Sequence, residues 1–209
     1  NLAKLNDLVL EKISDKRLQK NTFIKTLRDE VFKNALSSIH DSINNVEISA
    51  IRLVDKVNNC LYFAAVYGTI KTSEDKFDLD EIDEHGEPVK AGVWVVKNKK
   101  TLFIDNDKHR YARPLRRFKA ESMILSPIKV ADEVIGVIDV RNTTKNMFAP
   151  YTIPVVELIG LQLGLYSYLL DTVVNLDNEK KQQTQIYEDF VHQLKSPIHQ
   201  LRTRACYCV

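Results

Sequence analysis

The sequence predicts an α+β domain, because strand-like segments lie between long helical runs at either end of the chain. Near the start, Phe23, Leu27, Val31, Ala35 and Ile39 recur every four residues, and no proline or glycine occurs before residue 46. Between residues 46 and 140, short apolar segments of strand length are separated by turn residues. From Thr152 a run rich in Leu, Ile and Val reads as a third helix, and a helical pattern returns at Tyr187, Phe190, Leu194, Ile198 and Leu201.

Composition narrows the possibilities. A chain of 209 residues holds one ordinary domain with long flanking helices, or two small domains. Hydrophobic content of 44% with 28% charge is that of a soluble globular protein rather than a disordered one. A net charge of +2 gives no reason to expect a nucleic-acid partner. Cys60, Cys206 and Cys208 are odd in number and widely separated, which suits a reducing cytoplasm better than a disulfide framework. Cys206-Tyr207-Cys208 with His199 matches no zinc spacing, so no metal site is expected. The start, Asn1-Leu2-Ala3, has no basic region followed by an apolar core, and the missing initiator methionine suggests a piece of a longer chain.

The elements follow in order. Residues 1–22 are charged on most faces and read as a solvated linker helix or coiled-coil lead-in, with Asn21-Thr22 as a capping break before a helix over 23–43. Val46 to Val54 alternates apolar and polar residues. Asn58-Asn59 then turns the chain into Cys60 to Tyr67, giving a hairpin. Residues 69–88 carry clustered carboxylates without EF-hand spacing and read as a solvated loop. Residues 89–99 look helical, 101–104 form a short strand, and 109–119 interleave basic and aromatic residues in an irregular stretch. Ser122 to Ile128 and Val134 to Val140 are two further strands joined by Ala131-Asp132-Glu133. The helix from Thr152 to about Val174 is apolar, but Glu157, Gln162 and Asp171 interrupt it, and mid-span charges cost several kcal/mol in a bilayer. A helix buried against a sheet and a dimer partner fits this composition, with no membrane span in this chain. Residues 175–185 then form a polar helical connector.

The stretch with the sharpest chemistry is Phe190-Val191-His192-Gln193-Leu194-Lys195-Ser196-Pro197-Ile198. Placing Tyr187 and Leu194 at inward heptad positions puts His192 on the outer face. Pro197 lies inside the same helical pattern, removing a donor and colliding with the carbonyl of Gln193 at a cost of roughly 3 kcal/mol. A chain built only for a stable helix would not put proline there. His192 to Ile198 resembles the H-box of two-component sensor histidine kinases, His-Glu-Leu-Arg/Lys-Thr/Ser-Pro-Leu/Ile. The resemblance implies that His192 accepts a phosphoryl group from ATP and passes it to an aspartate of a response-regulator receiver domain. His199 shares the outer face but lacks the flanking sequence, and receives no role.

A second resemblance covers residues 23 to about 170. Glu121-Ser122-Met123-Ile124-Leu125-Ser126-Pro127-Ile128, a turn, then Val134-Ile135-Gly136-Val137-Ile138-Asp139-Val140 is similar to the closing hairpin of GAF domains. Phe148, Ala91 to Val96 and Thr101 to Asp105 fit the same pattern. This implies an antiparallel sheet of about six strands with helices on one face and a small-molecule pocket on the other, flanked by N- and C-terminal helices that form a dimeric coiled coil. The region where family members attach a bilin holds no cysteine, so no covalent bilin is expected. Asn98-Lys99 followed by Phe103 imitates only part of the cyclic-nucleotide signature. Trp94, Phe103, Tyr111, Arg113 and Arg116 are the expected pocket residues, as apolar walls with cationic anchors.

The resulting division is a linker helix at 1–22, a GAF sensor domain at 23–174, the connector at 175–185, and the start of a phosphoacceptor helix at 186–209. Gln193 stands where the H-box family usually has an acid, and an amide orients the ring but cannot carry its proton away. Ser196, four residues after His192, could hold a water for dephosphorylation. Only eleven residues follow Ile198, so neither a second phosphoacceptor helix nor an ATP-binding domain lies in this sequence. The expectation is the sensory fragment of a cytoplasmic or membrane-associated histidine kinase, acting as a homodimer and depending on ATP and Mg bound elsewhere in its parent. The competing class is a non-enzymatic GAF module for ligand sensing or dimerisation.

Overall fold

The computed structural model describes residues 20–68, 76–105, 109–112 and 120–206, with helical residues 20–24, 187, 188 and 190–206 described by backbone alone. Helix α1 spans Lys20–Ser42, with strands β1 (Ile48–Asp55), β2 (Cys60–Tyr67) and β3 (Lys76–Asp78) after it. Helix α2 (Ala91–Asn98), β4 (Leu102–Ile104), a 3-10 turn at Arg110–Ala112, β5 (Ser122–Val130), β6 (Glu133–Asn142) and helix α3 (Thr152–Cys206) complete the order. The six strands form one sheet in the order β3-β2-β1-β6-β5-β4, and every pairing is antiparallel. Two compact units divide the chain at Ser167/Tyr168, the sheet and its helices lying in the first.

Helix formation in α1 follows from its apolar stripe: Leu27, Val31, Ala35 and Ile39, joined by Phe32 and Leu36, are all buried, as is Ile43 just past its end. The expected break at Asn21-Thr22 is absent, and the helix runs through both residues from Lys20. Asn and Thr cost a helix only a fraction of a kcal/mol, less than the apolar face that follows gains. The expected linker helix over 1–22 otherwise lies outside the described residues.

Strands β1, β6 and β5 are buried on both faces. On one face Ser49, Ile51, Ile124, Ile128 and Ile138 meet α1 and the start of α3; His40 of α1 bonds Ser49 through Nε2 at 3.1 Å. On the other, Leu61, Met123, Leu125 and Val137 pack with Val93 and Val95 of α2. The helices are therefore not confined to one face, since α2 roofs the second. Cys60, which opens β2, is a free thiol buried to 5% exposure.

The region 69–88, expected to be a solvated loop, supplies the sixth strand: β3 pairs with β2 through Phe77 opposite Leu61. Beyond it Asp83 closes a tight turn, accepting backbone hydrogen bonds from His85 at 2.9 Å and Glu87 at 3.0 Å. The acidic residues conceal Phe77, which packs against the core from within the strand, and Leu79, which does so just past it. The predicted hairpin turns are present. Asp55 Oδ1 accepts from the amides of Val57 and Asn58 at 3.0 Å, and Asn59 takes a left-handed φ of 49°.

Helix α3 packs on β5 through two glycines. A Cβ on Gly164 would lie 1.8 Å from the carbonyl oxygen of Lys129, and one on Gly160 2.9 Å from that of Pro127. Both neighbours are backbone and cannot swing aside. Replacing Gly164 with alanine is expected to push α3 off β5 and destabilise the domain by about 1–3 kcal/mol, measured by urea unfolding.

Candidate functional site: a cationic cavity beneath helix α2

The site begins with sheet register. Arg52 on β1 lies opposite Val137 on β6, and Ala50 opposite Asp139, so Arg52, Asp139 and Arg141 share one face. A bulge between Ile51 and Arg52 sets Arg52 opposite Phe63 of β2. The guanidinium then stacks on two rings, its Cζ 4.5 Å from the centre of Phe63 and 4.8 Å from that of Phe77.

All three charged side chains are buried: Arg52 is 3% exposed, Asp139 1% and Arg141 8%. Asp139 is shared. Arg52 Nη1 donates to its Oδ2 at 2.8 Å, Arg141 Nε donates to Oδ1 at 2.7 Å, and Arg141 Nη2 also bonds Oδ2. Burial acts to raise the Asp139 pKa, but Arg141 and then Arg52 outweigh it and hold the carboxyl below its ordinary value. Burial pulls the Arg52 guanidinium down to about 10 against the pull of Asp139, with Arg141 adding to the lowering. Arg141 is also desolvated, yet its bonds to Asp139 leave it above the ordinary value.

Beside this triad lies a cavity of about 240 Å³ lined by Arg52, Arg141, Phe77, Met123, Leu125, Lys90, Ala91, Arg110 and Tyr111, among others. Helix α2 crosses it closely, and a Cβ on Gly92 would lie 3.5 Å from Arg52 Nη1. The α2 C-terminus is closed by Lys99, left-handed at φ 56°, whose amide donates to the Val95 carbonyl. Tyr111 is held by its hydroxyl, which donates to the Pro88 carbonyl at 2.9 Å. Arg110 is engaged by Asp83 at 2.5 Å.

Of the residues expected to form the pocket, Tyr111 lines this cavity. Phe103 does not: it pairs with Ile124 and lies on the opposite face, in a separate cleft with Thr101, Ser126 and Glu157. Trp94 packs at the margin of the core, its carbonyl accepting from Asn98. Arg113 and Arg116 lie outside the described residues. Arg52, Asp139 and Arg141 were missed, because charged residues within alternating strands read as solvent-facing positions. The signal that could have found them is their shared register face. His192, Gln193, Ser196 and Pro197 fall on the backbone of α3, where side chains are outside the described set.

The family profile of the GAF domain matches residues 28–166. The chain belongs to the GAF family. No curated protein matches it. Among solved structures, it resembles a type II free methionine-R-sulfoxide reductase from Thermoplasma acidophilum at 15% identity, covering 68% of this chain and 92% of that one with a TM-score of 0.57. The GAF domain of a phosphoenolpyruvate-protein phosphotransferase from Coxiella burnetii is 10% identical, covering 83% and 96%, with a TM-score of 0.58. Residues 122 to 287 of a methyl-accepting chemotaxis protein are 19% identical, covering 74% and 98%, with a TM-score of 0.56. At these identities what is shared is the fold.

The shared carboxylate of this GAF domain generates a pH signature. Because the folded Asp139 pKa is depressed, its stabilisation is complete above the unfolded value of about 3.9 and is lost as pH falls through the folded value. Asp139→Asn leaves two buried guanidiniums without their anion and is expected to cost about 3–5 kcal/mol near neutral pH. The gap between variant and parent should narrow as pH falls below about 4, read from urea midpoints.

Proposed function

We propose that this chain is the sensory and phosphoacceptor portion of a two-component histidine kinase, its GAF domain controlling phosphorylation of His192. The observation that carries the reading is the run His192-Gln193-Leu194-Lys195-Ser196-Pro197-Ile198, with proline placed inside the helix Thr152–Cys206. In the proposed step an imidazole nitrogen attacks the γ-phosphorus of ATP. The bond to the ADP oxygen breaks, and the second ring nitrogen gives up its proton. The protein's contribution is position and charge. With Gln193 beside the histidine the proton leaves to water, which makes the reaction slow. ATP and Mg belong to the parent's catalytic domain, the phosphoryl group goes to a receiver-domain aspartate, and the assembly works in the cytoplasm.

A homodimer is part of the proposal. Within the GAF unit Leu158, Leu161 and Leu165 are 54–59% exposed at three- and four-residue spacing. Within the second unit Leu169, Val173, Leu176 and Ile186 are also exposed. Such a stripe on a helix is a surface for a partner helix. The helix is long and apolar enough over Thr152–Ile186 to cross a membrane, but Gly160 and Gly164 seat its first turns on β5 and Glu157 accepts from Thr101 at 2.6 Å.

Incubating the parent kinase with γ-labelled ATP tests the reading. Acid-labile label should appear and be lost in His192→Gln, while Gln193→Glu should raise its rate about ten-fold or more. Acid-labile label that persists in His192→Gln rejects the assignment, and no label in the parent favours a GAF module without phosphotransfer. Light scattering tests the dimer, where Leu161→Glu with Leu165→Glu should shift the chain from two copies to one.

A further inference from the structure

The residues lining the cavity beneath α2 carry charge of one sign. Arg52, Lys90, Arg110 and Arg141 all contribute, and no carboxylate is among the described lining residues; Lys90 is itself engaged, lying over the Phe77 ring. Arg110 is balanced by Asp83 nearby, but the triad holds two guanidiniums against one carboxylate. It therefore keeps one positive charge in a region nearly closed to water. Arg52 Nε is buried with no hydrogen-bond partner among the described residues. A buried ion or donor left unsatisfied is costly, and natural interiors keep such groups only against a partner.

We infer that this cavity binds a small monocarboxylate, its carboxylate received by the Arg52 side of the Arg52–Asp139–Arg141 cluster and its short apolar tail by Phe77, Met123 and Leu125. Charge selects the class, since one negative charge brings the cluster to neutrality and a dianion would overshoot. Shape agrees with charge, because a guanidinium edge matches a planar carboxylate. Volume agrees with a small ligand, at about 240 Å³ beside the cluster. The apolar side chains beside the cations, Met123 and Leu125 above all, give a tail of a few carbons somewhere dry to lie.

The inference deepens the sensory reading by naming what the sensor holds and rests on that reading only for its meaning. Binding is measured without ATP or a kinase domain, so failure of one test does not decide the other. At about pH 8, where inorganic phosphate is mainly the dianion, the 209-residue chain is titrated calorimetrically with acetate, butyrate, 3-methylbutyrate and benzoate, with butyramide as the neutral mimic and phosphate as the dianion. At least one of the longer carboxylates should bind saturably at one per chain, while butyramide and phosphate do not. Arg52→Met leaves a neutral Asp139–Arg141 pair and should weaken binding about ten-fold or more, which is about 1.4 kcal/mol, with the circular-dichroism melt retained. Ala91→Leu, which fills the cavity without touching a charge, should abolish binding and carries the test if Arg52→Met fails to fold. The inference is overturned by no carboxylate binding, by equal binding of butyramide, by binding of phosphate alone, or by affinity unchanged in Ala91→Leu.

Discussion

The pairing of β1 with β6 at the centre of the sheet is the constraint on which the rest of this domain depends. It lays Ile51 against Ile138 on one face and sets Arg52 diagonal to Asp139 on the other. A slip of β1 by one residue would exchange its two sets, driving Arg52 toward α1 and Ile51 toward the cavity. Core and site are thus fixed by the same backbone ladder. The ion cluster is not an economical way to hold a sheet together, since well-packed apolar residues commonly do as well. Its presence at the sheet centre is best understood together with the cavity it faces.

The two faces divide the work. The α1 face is a conventional aliphatic core, continuous from Leu27 to Ile39 on the helix and through Ile51, Ile124 and Ile138 on the sheet. Helix α3 joins that face because two glycines let it approach β5 at backbone contact. The α2 face mixes apolar packing with charge and is roofed by a helix of only eight residues. Short elements with few buried contacts open at lower cost than long ones, so a ligand in the cavity would act on the part of the domain most able to respond.

Much of the fold was legible in the sequence because periodicity reports burial. The stripe of α1, the β1–β2 hairpin and the closing β5–β6 hairpin all follow from spacing and turn residues. Strand β3 was hidden because three residues are too few to show a period, and acidic neighbours surround Phe77. The site was harder to read. Arg52 and Arg141 each lie in an apolar run where a polar residue is ordinarily solvent-facing, and only the assembled sheet shows both faces covered. Phe103 shows the same failing in reverse, since an aromatic side chain in a short strand gives no sign of which face it takes. The resemblance of His192 to Ile198 to an H-box is drawn from the sequence alone, because proline within a helical pattern is a conflict visible in one dimension.

Cys60 provides an internal clock for this domain. Its sulfur lies at the start of β2, between β1 and β3, and is nearly sealed from solvent. A thiol reagent meets it only when the structure above it lifts, so the pace of modification reports how often that corner breathes. With Cys206 and Cys208 exchanged for serine, the signal would come from that single atom.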